Sequence, residues 1–361
     1  MKHRRPARSA MPRGSVILAI LCLLVLVTGY MLRQSPEEAG PAQSAAAAEG
    51  QLEVRFLDIG QGDAALVRYG DTAMLIDGGK VKHNQRLVSR LKELSVDHLD
   101  AVICSHPDED HCGGIAAVLA NTPASAFYCS VDSWHTKAFS DVVSYVQAQD
   151  LAVTVPQTGD SFALGDASVA FLGPVANYGD DPNEGSLVVR VSYGETSFLF
   201  TGDMGFEAED DMLSAGVDVS ATVLKVAHHG SAGSSSREFL AAVHPQYAVI
   251  SVGADNDYGH PTEAALQRLA ETGAEIYRTD LLGEITAVSD GTSVTITTEN
   301  AAHTDTSVQT AQTGDYVGNA SSKVVHAASC GKLPGEENRV YFATLDEALA
   351  AGYRAHAACI K

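Results

Sequence analysis

The feature that most restricts the fold of this chain is a ten-residue segment, Ser105–Gly114 (SHPDEDHCGG), that directly follows the apolar segment Leu99–Cys104. Four potential metal ligands fall within six residues of it: His106, Asp108, Asp110 and His111. A regular helix or strand cannot aim four such close side chains at one point, whereas an irregular loop at the end of a strand can. Histidine combined with carboxylate suits Zn or Mn. The segment therefore predicts a metal site, with a polar surface turn as the alternative.

Other polar residues also come directly after apolar segments: Asp203, the pair His228 and His229, and His260. Each alone is equally consistent with a helix cap, a core histidine or a turn residue. Side chains from the ends of different strands commonly converge on one site in α/β proteins. Together these residues indicate a single site.

Short apolar segments closed by glycine-containing turns alternate with segments of helical periodicity between Leu52 and Thr298. The predicted strands are Leu52–Leu57, Ala64–Tyr69, Thr72–Ile76, Leu99–Cys104, Ser168–Leu172, Leu187–Tyr193, Ser197–Phe200, Thr222–Ala227, Ala248–Val252, Glu275–Arg278, Glu284–Ser289 and Ser293–Thr297. The predicted helices are Asn84–Leu94, Ile115–Ala120, Ser140–Gln149 and Thr262–Thr272. This alternation predicts a layered α/β sandwich spanning residues 51–298.

These motifs resemble those of the metallo-β-lactamase fold, and their wider pattern is similar to the extracellular hydrolase domain of the ComEC competence proteins. The segment His106–His111 resembles the HxHxDH signature with Asp in place of the middle His. Further matching motifs follow in the family's order: Phe56–Ala64, Leu75–Gly79, Thr201–Asp203, His228–Ser231 and Tyr258–Pro261. The resemblance covers about Leu52 to Thr298 and implies an αββα sandwich, in a superfamily of lactamases, lactonases, phosphodiesterases and nucleases.

The resemblance also implies a site for two divalent ions. His106 and Asp108 would bind one ion, and Asp110 and His111 the other. Asp203 would bridge the two, and we expect His228 to complete the ligand set. Asp63 and Asp77, in the two opening motifs, would support the site.

The chain departs from the wider superfamily at the third histidine motif. No histidine occurs between Phe171 and Arg190, where Asn183 and Ser186 stand instead and are predicted as supporting residues. A ligand set richer in oxygen favours harder ions, so Mn or Mg becomes a candidate beside Zn.

A two-ion site suits phosphodiester cleavage, because the ions stabilise charge on both the attacking and the leaving oxygen. Asp110 would orient the attacking water as well as bind metal. His260 and His229 are candidates to donate a proton to the leaving oxygen. Lys225 would either hold a non-bridging phosphate oxygen or pair with a surface acid.

The charge of the chain limits how it can bind a polyanion. Residues 34–361 carry 18 Lys and Arg against 45 Asp and Glu, a net charge of −27. This excludes a broad basic groove, so metal ions would have to hold a phosphate substrate locally. Hydrolysis of extracellular DNA is the first hypothesis. The alternatives are a phosphodiesterase or lactonase acting on small molecules of the cell envelope, and a non-catalytic metal-containing binding module.

The first 50 residues predict an extracytoplasmic body. A basic head, residues 1–14, precedes a segment at 15–33 that contains 17 uncharged residues, Val16–Leu32. This length is near the lower limit for a transmembrane helix, and the basic flank orients the body outward. A cleaved signal peptide is the alternative, with Ala45–Ala48 as a processing site, so the protein is either a single-pass membrane protein or secreted. Residues 34–50 form a linker.

The C-terminal residues 314–361, after a linker at 299–313, form a separate small unit. Two pairs with Hx3C and Hx2C spacing offer a tetrahedral ligand set for structural zinc, namely His326 with Cys330 and His356 with Cys359. A Cys330–Cys359 disulfide is the alternative outside the cytoplasm. The stretch Arg339–Arg354 resembles the metal-binding domain of the Ada DNA-repair methyltransferases, in which His326 and His356 would replace two cysteines.

Overall fold

Residues 50–254, 256–300, 316–328, 330, 332–335, 338–342, 344–357 and 359–360 are described by a computed structural model of the chain. The predicted anchor or signal segment at 15–33 and most of the 299–313 linker lie outside them. Across the described ranges, no helix combines the length and the apolar character needed to cross a membrane.

The first sheet has eight strands. They are β1 (Leu52–Phe56), β2 (Ala65–Tyr69), β3 (Thr72–Ile76), β4 (Ala101–Cys104), β5 (Phe127–Cys129), β6 (Val153–Thr154), β14 (Ile285–Ser289) and β15 (Val294–Thr298). Their order across the sheet is β15-β14-β1-β2-β3-β4-β5-β6. The pairs from β15 to β3 are antiparallel, whereas β3 to β6 run parallel.

The second sheet has seven strands. They are β7 (Ser161–Leu164), β8 (Ala167–Gly173), β9 (Val188–Tyr193), β10 (Thr196–Phe200), β11 (Val223–Lys225), β12 (Tyr247–Ile250) and β13 (Glu275–Arg278). The order is β13-β12-β11-β10-β9-β8-β7, with parallel pairing from β10 to β13. Each sheet thus has a parallel half, in which the carboxyl ends of neighbouring strands lie at one edge.

The helices are α1 (Asn84–Glu93), α2 (Glu109–Cys112), α3 (Ile115–Leu119), α4 (Lys137–Ala148), α5 (Phe206–Ser214), α6 (Arg237–Val243), α7 (Glu263–Glu271) and α8 (Thr279–Leu282), with 3-10 turns at Val81–His83 and Ala227–Gly230. Three of these eight helices begin at a hydroxyl side chain that accepts a hydrogen bond from the backbone N–H three residues later: Thr136, Ser236 and Thr262. Such caps stabilise a helix start by roughly 1 kcal/mol.

Apolar side chains on the two faces of each strand form separate layers of the core. On β2, Val67 faces the other sheet and Leu66 faces the helices. On β10, Phe198 and Phe200 point into the space between the sheets and Leu199 points away from it. The rings of Phe56 and Phe200 meet across that space at 5.9 Å. Because side chains on a strand alternate between its faces, the two sheets share one apolar core and each covers its outer face with helices.

Helices cover both outer faces. Leu87 on α1, Ile115 on α3 and Phe139 on α4 belong to the cluster on the first sheet. Met212 on α5 and Phe239 on α6 belong to the cluster on the second. The predicted αββα sandwich is confirmed.

Among its described residues, the C-terminal unit contains a four-stranded sheet and one α-helix. Its strands are β16 (Tyr316–Asn319), β17 (Val324–Ala327), β18 (Arg339–Phe342) and β19 (Arg354–Ala355), and its helix is α9 (Leu345–Ala350). The order is β18-β16-β17-β19, around a core that includes Val325, Val340 and Tyr353. Gln267 on α7 bonds both backbone polar groups of Tyr341 on the edge strand β18, at 3.3 and 3.4 Å.

Candidate metal centre

The site lies where strands of both sheets end. Asp77 follows β3, and the segment beginning at Ser105 follows β4. From the second sheet, Asp203 follows β10 and the two histidines follow β11. Asp63 comes from the connection between β1 and β2. The predicted convergence of distant segments is therefore present in the structure.

Two glycine pairs allow the metal-ligand segment to approach the first sheet. A Cβ on Gly78 would lie 2.8 Å from the backbone nitrogen of Ile115, and one on Gly113 would lie 2.6 Å from that of Val81. The N–H of Gly114 donates to the carbonyl of Gly79 at 2.9 Å. Only glycine fits this backbone-to-backbone contact, because any Cβ would force the two segments apart.

Four buried side chains form the centre of the site: Asp63, His111, Asp203 and His229. One ligand atom from each lies within 4.8 Å of the others. Nε2 of His111 is 3.1 Å from Oδ1 of Asp203, and Nε2 of His229 is 3.6 Å from Oδ2 of the same carboxylate. Asp203 thus lies between His111 and His229, and its predicted bridging role stays a prediction.

The three buried histidines share one orientation: the protein contacts Nδ1 and leaves Nε2 directed inward. Nδ1 of His111 donates to Asp77, and Nδ1 of His229 donates to the carbonyl of Ser251 at 2.9 Å. Nδ1 of His106 lies 3.1 Å from Oγ of Ser105. Their Nε2 atoms are buried and, within the part of the chain that the structure describes, make no hydrogen bond.

Unpaired buried nitrogens are costly unless another partner binds them. A histidine held through Nδ1 with Nε2 directed at carboxylates is the usual arrangement of a metal ligand. The donor set of these residues therefore fits divalent cations.

Charge compensation favours ionised carboxylates at the centre. Burial alone would raise the pKa of Asp63, but the ammonium of Lys225, 2.6 Å away, and the ring of His229 lower it to about 2. Burial also opposes ionisation of Asp203, yet His111 and His229 hold the pKa of that carboxyl well below its usual range. Both groups are thus anionic at neutral pH and available to a cation.

The ammonium group of Lys225 is engaged in contacts within the protein. Its side chain is buried, and its ammonium bonds Asp63 and the carbonyl of Val226, the latter at 2.8 Å. The acid that Lys225 contacts is the buried Asp63 and not a surface acid, and a role of Lys225 towards phosphate stays a prediction.

The other predicted ligands of the Ser105–Gly114 segment surround this centre. The rings of His106 and His111 lie 4.1 Å apart, and Nε2 of His106 is 3.9 Å from Oδ2 of Asp108. Asp110 sits on the single turn of α2 with its Oδ2 3.8 Å from Nε2 of His229. Asp108 and Asp110 are more exposed than the central four residues, which places them towards solvent.

Ser186 stands beside His106 at the position of the absent third-motif histidine. Its Oγ lies 3.3 Å from Nδ1 of His106 and accepts a hydrogen bond from the N–H of Asp203 at 3.1 Å. Asn183 has a buried Oδ1 without a hydrogen-bond partner among the described residues. Ser186 and Asn183 both lie in the connection to β9. Their supporting role stays a prediction.

The structure brings His229 rather than His228 into the central group. His228 lies at the edge, with 31% of its side chain exposed and its Nε2 3.7 Å from Oδ2 of Asp203. Both histidines adopt left-handed backbone angles, with φ of 52° and 53°. Two consecutive residues of this kind each cost about 1–3 kcal/mol, strain that is typical of functional sites. The ligand role expected for His228 stays a prediction.

His260 also lies at the edge, its ring 5.6 Å from that of His228. Burial and the neighbouring His228 and His229 lower its pKa to about 4. This pKa makes the imidazole of His260 neutral at pH 7, and its proton-donor role stays a prediction.

The sequence patterns did not single out Ser105, Ser251 or Lys80, all of which contact the site. Ser105 donates to Asp77 through Oγ at 2.7 Å, and Lys80 places its ammonium 3.8 Å from Oδ2 of Asp110. Serine and lysine beside a turn carry no distinctive signal in a single sequence.

A second cluster lies in the C-terminal unit and consists of His326, Cys330, His356 and Cys359. Sγ of Cys330 is 3.5 Å from Nδ1 of His326, and Sγ of Cys359 is 3.1 Å from Nδ1 of His356. Both cysteines are free thiols. The predicted tetrad is therefore assembled in the geometry of a metal site, while its metal stays a prediction.

An αββα sandwich with a buried Asp/His metal site at its strand ends defines a class of metal-binding hydrolase folds. The chain belongs to the metallo-beta-lactamase superfamily, which matches residues 57–254 and whose members are generally metal-dependent hydrolases.

Competence protein ComA of Neisseria gonorrhoeae is 33% identical over 277 residues, which are 76% of this chain and 36% of that protein. ComE operon protein 3 of Bacillus subtilis is 30% identical over 251 residues, 64% of this chain and 32% of that protein. The chain thus spans about a third of the length of these curated relatives. The solved structure of the metallo-beta-lactamase fold protein YhfI from Bacillus subtilis aligns with 66% of this chain and 99% of its own, at 14% identity and a TM-score of 0.45.

Proposed function

We propose that the chain is an extracytoplasmic metal-dependent nuclease that hydrolyses phosphodiester bonds in DNA. The observation that carries the proposal is the group formed by Asp63, His111, Asp203 and His229, in which ionised carboxylates face buried histidine nitrogens. The same group, with His106, Asp108 and Asp110 around it, would hold two divalent ions. Its mixture of oxygen and nitrogen ligands suits Zn or Mn, with Mg as a further candidate.

Bound divalent ions would supply an activated water and neutralise charge on a phosphate. Asp110 is placed towards solvent beside His229, where its carboxylate would orient that water and accept its proton. Lys225 keeps Asp63 ionised through their ion pair. These residues would thus serve the attacking side of an in-line displacement, while a protonated donor for the leaving oxygen would come from solvent.

DNA is supported as the substrate by the relatives. One protein that matches most of this chain is named competence protein ComA and another ComE operon protein 3, and the ComEC domain that the motifs resemble is proposed to act on DNA entering the cell. An extracytoplasmic location is supported by the basic residues ahead of the apolar segment Val16–Leu32. Through that segment the protein would contact the membrane.

The test uses purified full-length protein with linear and plasmid DNA in the presence of Mn, Zn or Mg. We expect DNA cleavage that requires the metal and falls at least 100-fold in Asp110→Ala, on the order expected for loss of a general base. Asp97→Ala, which removes an exposed carboxylate, is the matched control.

Other outcomes would select the alternatives. Hydrolysis of a synthetic phosphodiester or a lactone without any cleavage of DNA would indicate a small-molecule hydrolase. Stoichiometric metal binding without hydrolysis of any of these substrates would indicate a binding module.

A further inference from the structure

One segment of the chain is basic, whereas the rest of the body is acidic. Residues 80–92 (KVKHNQRLVSRLK) contain five Lys and Arg and no Asp or Glu, although residues 34–361 carry a net charge of −27. A local cluster of positive charge on an acidic protein attracts a polyanion only where the cluster is accessible. Whether this cluster can bind a substrate therefore depends on where it lies relative to the metal centre.

The cluster begins at the metal centre. The ammonium of Lys80 lies 3.8 Å from Oδ2 of Asp110. The backbone at Val81 packs on Gly113 of the metal-ligand segment, since a Cβ there would meet the Val81 nitrogen at 2.6 Å. The ring of His83 lies over Gly60, whose Cβ would be 2.9 Å from Nε2 of the imidazole. The 3-10 turn Val81–His83 is thus held beside the predicted ligands.

Most cations of the cluster already have acidic or polar partners. Arg86 pairs with Asp58 at 2.7 Å, and Arg90 pairs with Glu284 at 2.7 Å. Lys82 is different: it is exposed, and in the described ranges it has no ion pair or hydrogen bond. Lys80 is partly exposed, and its ammonium contacts Oδ2 of Asp110 at 3.8 Å and the hydroxyl of Tyr258. Lys82 is thus open to a phosphate, and Lys80, although only 19% exposed, is the ammonium group beside Asp110 of the metal centre.

An aromatic side chain lies next to Lys80. Tyr258 exposes 59% of its surface, although it is large and apolar. Nζ of Lys80 donates to its hydroxyl at 3.3 Å and lies 5.0 Å from the ring centroid. The ring of His260 stacks against it at 5.8 Å, so neighbours on the inner side fix its orientation. An exposed ring beside an ammonium group is the combination on which nucleobases stack.

The geometry points to a nucleotide-binding surface formed by Lys80, Lys82 and Tyr258 at the edge of the metal centre. The two ammonium groups contact phosphates that flank the scissile bond, and the phenol ring stacks on a neighbouring base. This inference rests on the proposed nuclease function. It explains how a strongly acidic body retains a polyanion: a few local contacts adjoin the metal centre, without a basic groove.

The test compares Lys82→Gln and Tyr258→Ala with Lys137→Gln, which removes an exposed lysine from α4, all in the full-length chain. Binding of a fluorescent oligonucleotide and its cleavage are measured against hydrolysis of bis(p-nitrophenyl) phosphate, which has no flanking phosphate or base. For Tyr258→Ala we expect the ratio of kcat/KM for DNA to that for the small ester to fall roughly 5- to 150-fold.

The salt dependence provides a second measurement for Lys82. Loss of one phosphate contact should reduce the slope of log binding constant against log salt by about 0.7–0.9 in Lys82→Gln. Lys137→Gln should keep the wild-type slope and ratio.

The outcomes separate this inference from the function on which it rests. DNA cleavage with wild-type slope and ratio in both variants would overturn the surface and leave the nuclease proposal intact. Oligonucleotide binding that depends on Lys82 and Tyr258 without any cleavage would support the surface and overturn the nuclease proposal. A wild-type protein that hydrolyses the small ester but neither binds nor cleaves DNA would overturn both.

Discussion

Nδ1 of His111 donates a hydrogen bond of 2.8 Å to Oδ2 of Asp77. The same carboxylate accepts the backbone N–H and the hydroxyl of Ser105, each at 2.7 Å. Asp77 therefore fixes the tautomer of His111 and turns its Nε2 towards Asp203. A carboxylate behind a metal-binding histidine raises the basicity of the ligand and holds its ring in place.

Asp77→Asn should lower metal affinity at the hydrolase centre by about 10- to 100-fold. Asparagine retains the backbone conformation, since it tolerates the φ of 60° at this position as well as aspartate does. Metal affinity is measured by competition with a chromophoric chelator, and Asp97→Asn is the matched control. Unchanged affinity in Asp77→Asn would show that His111 needs no such support.

Gly114→Ala should destabilise the hydrolase domain by about 1–3 kcal/mol, the usual cost of overpacking. The added Cβ would collide with the carbonyl group of Gly78, and backbone on both sides of this contact leaves little room to relax. The φ of Gly114 is −83°, so backbone strain does not contribute. The free energy of unfolding is measured in urea.

Gly233→Ala is the control for this effect, because a Cβ there would meet its nearest neighbour only at 4.0 Å. Equal free energies of unfolding for the two variants would mean that the backbone segments around Gly78 and Gly114 can move apart without loss of stability.

The strand pattern was predictable wherever an apolar segment ends at a glycine or a polar residue. Thr72–Ile76 and Glu275–Arg278 match β3 and β13 residue for residue, and the other predicted strands differ by a few residues at their ends. The elements that were missed carry weaker signals. Strand β5 has only three residues, and α5 (FEAEDDMLS) buries Glu209 along with Ala208 and Met212, so its apolar face is incomplete.

An Asp/His metal site formed by distant segments was predictable, but which residues occupy its centre was not. Four neighbouring ligands after one strand already indicate a metal. The position of His229 inside the group, with His228 at the edge, depends on two consecutive left-handed residues that no periodicity encodes. Asp63 was expected to support the site, yet it lies in the central group, because the turn after β1 folds back onto α2 through the 3.0 Å bond between its N–H and the carbonyl of Asp110.

Glu209 should make the stability of the hydrolase domain depend on pH. Burial on α5 raises its pKa to about 7, against hydrogen bonds from the N–H groups of Ser235 and Ser236 that favour the ionised form. The folded state therefore holds this proton more tightly than the unfolded state. Between about pH 4.5 and pH 7 the stability contributed by Glu209 must fall as pH rises, by up to about 3 kcal/mol.

Urea unfolding at pH 4.5 to 8 tests this through the difference between wild type and Glu209→Gln. The wild-type advantage should shrink as pH rises, and Glu207→Gln, at an exposed position on the same helix, is the matched control. A difference between wild type and Glu209→Gln that stays constant with pH would contradict the raised pKa.

The C-terminal tetrad should bind one zinc ion independently of the hydrolase centre. Its four side chains contribute nitrogen and sulfur atoms within 4.8 Å of one another, and so small a unit gains much of its folding free energy from such a metal. Cys359→Ser should therefore lower the zinc content by one ion per chain and leave the hydrolase metals in place. His111→Ala is the reciprocal variant and should lose hydrolase metal while retaining this zinc, as measured by elemental analysis.

Alkylation distinguishes zinc from the disulfide alternative. With zinc bound, Cys330 and Cys359 should react with iodoacetamide only after a chelator removes the ion, and no reductant should be needed. A Cys330–Cys359 disulfide would instead require reductant and would be insensitive to chelator. Because each sulfur lies within 4 Å of both histidines, an unchanged zinc content in Cys359→Ser would contradict the tetrad as a metal site.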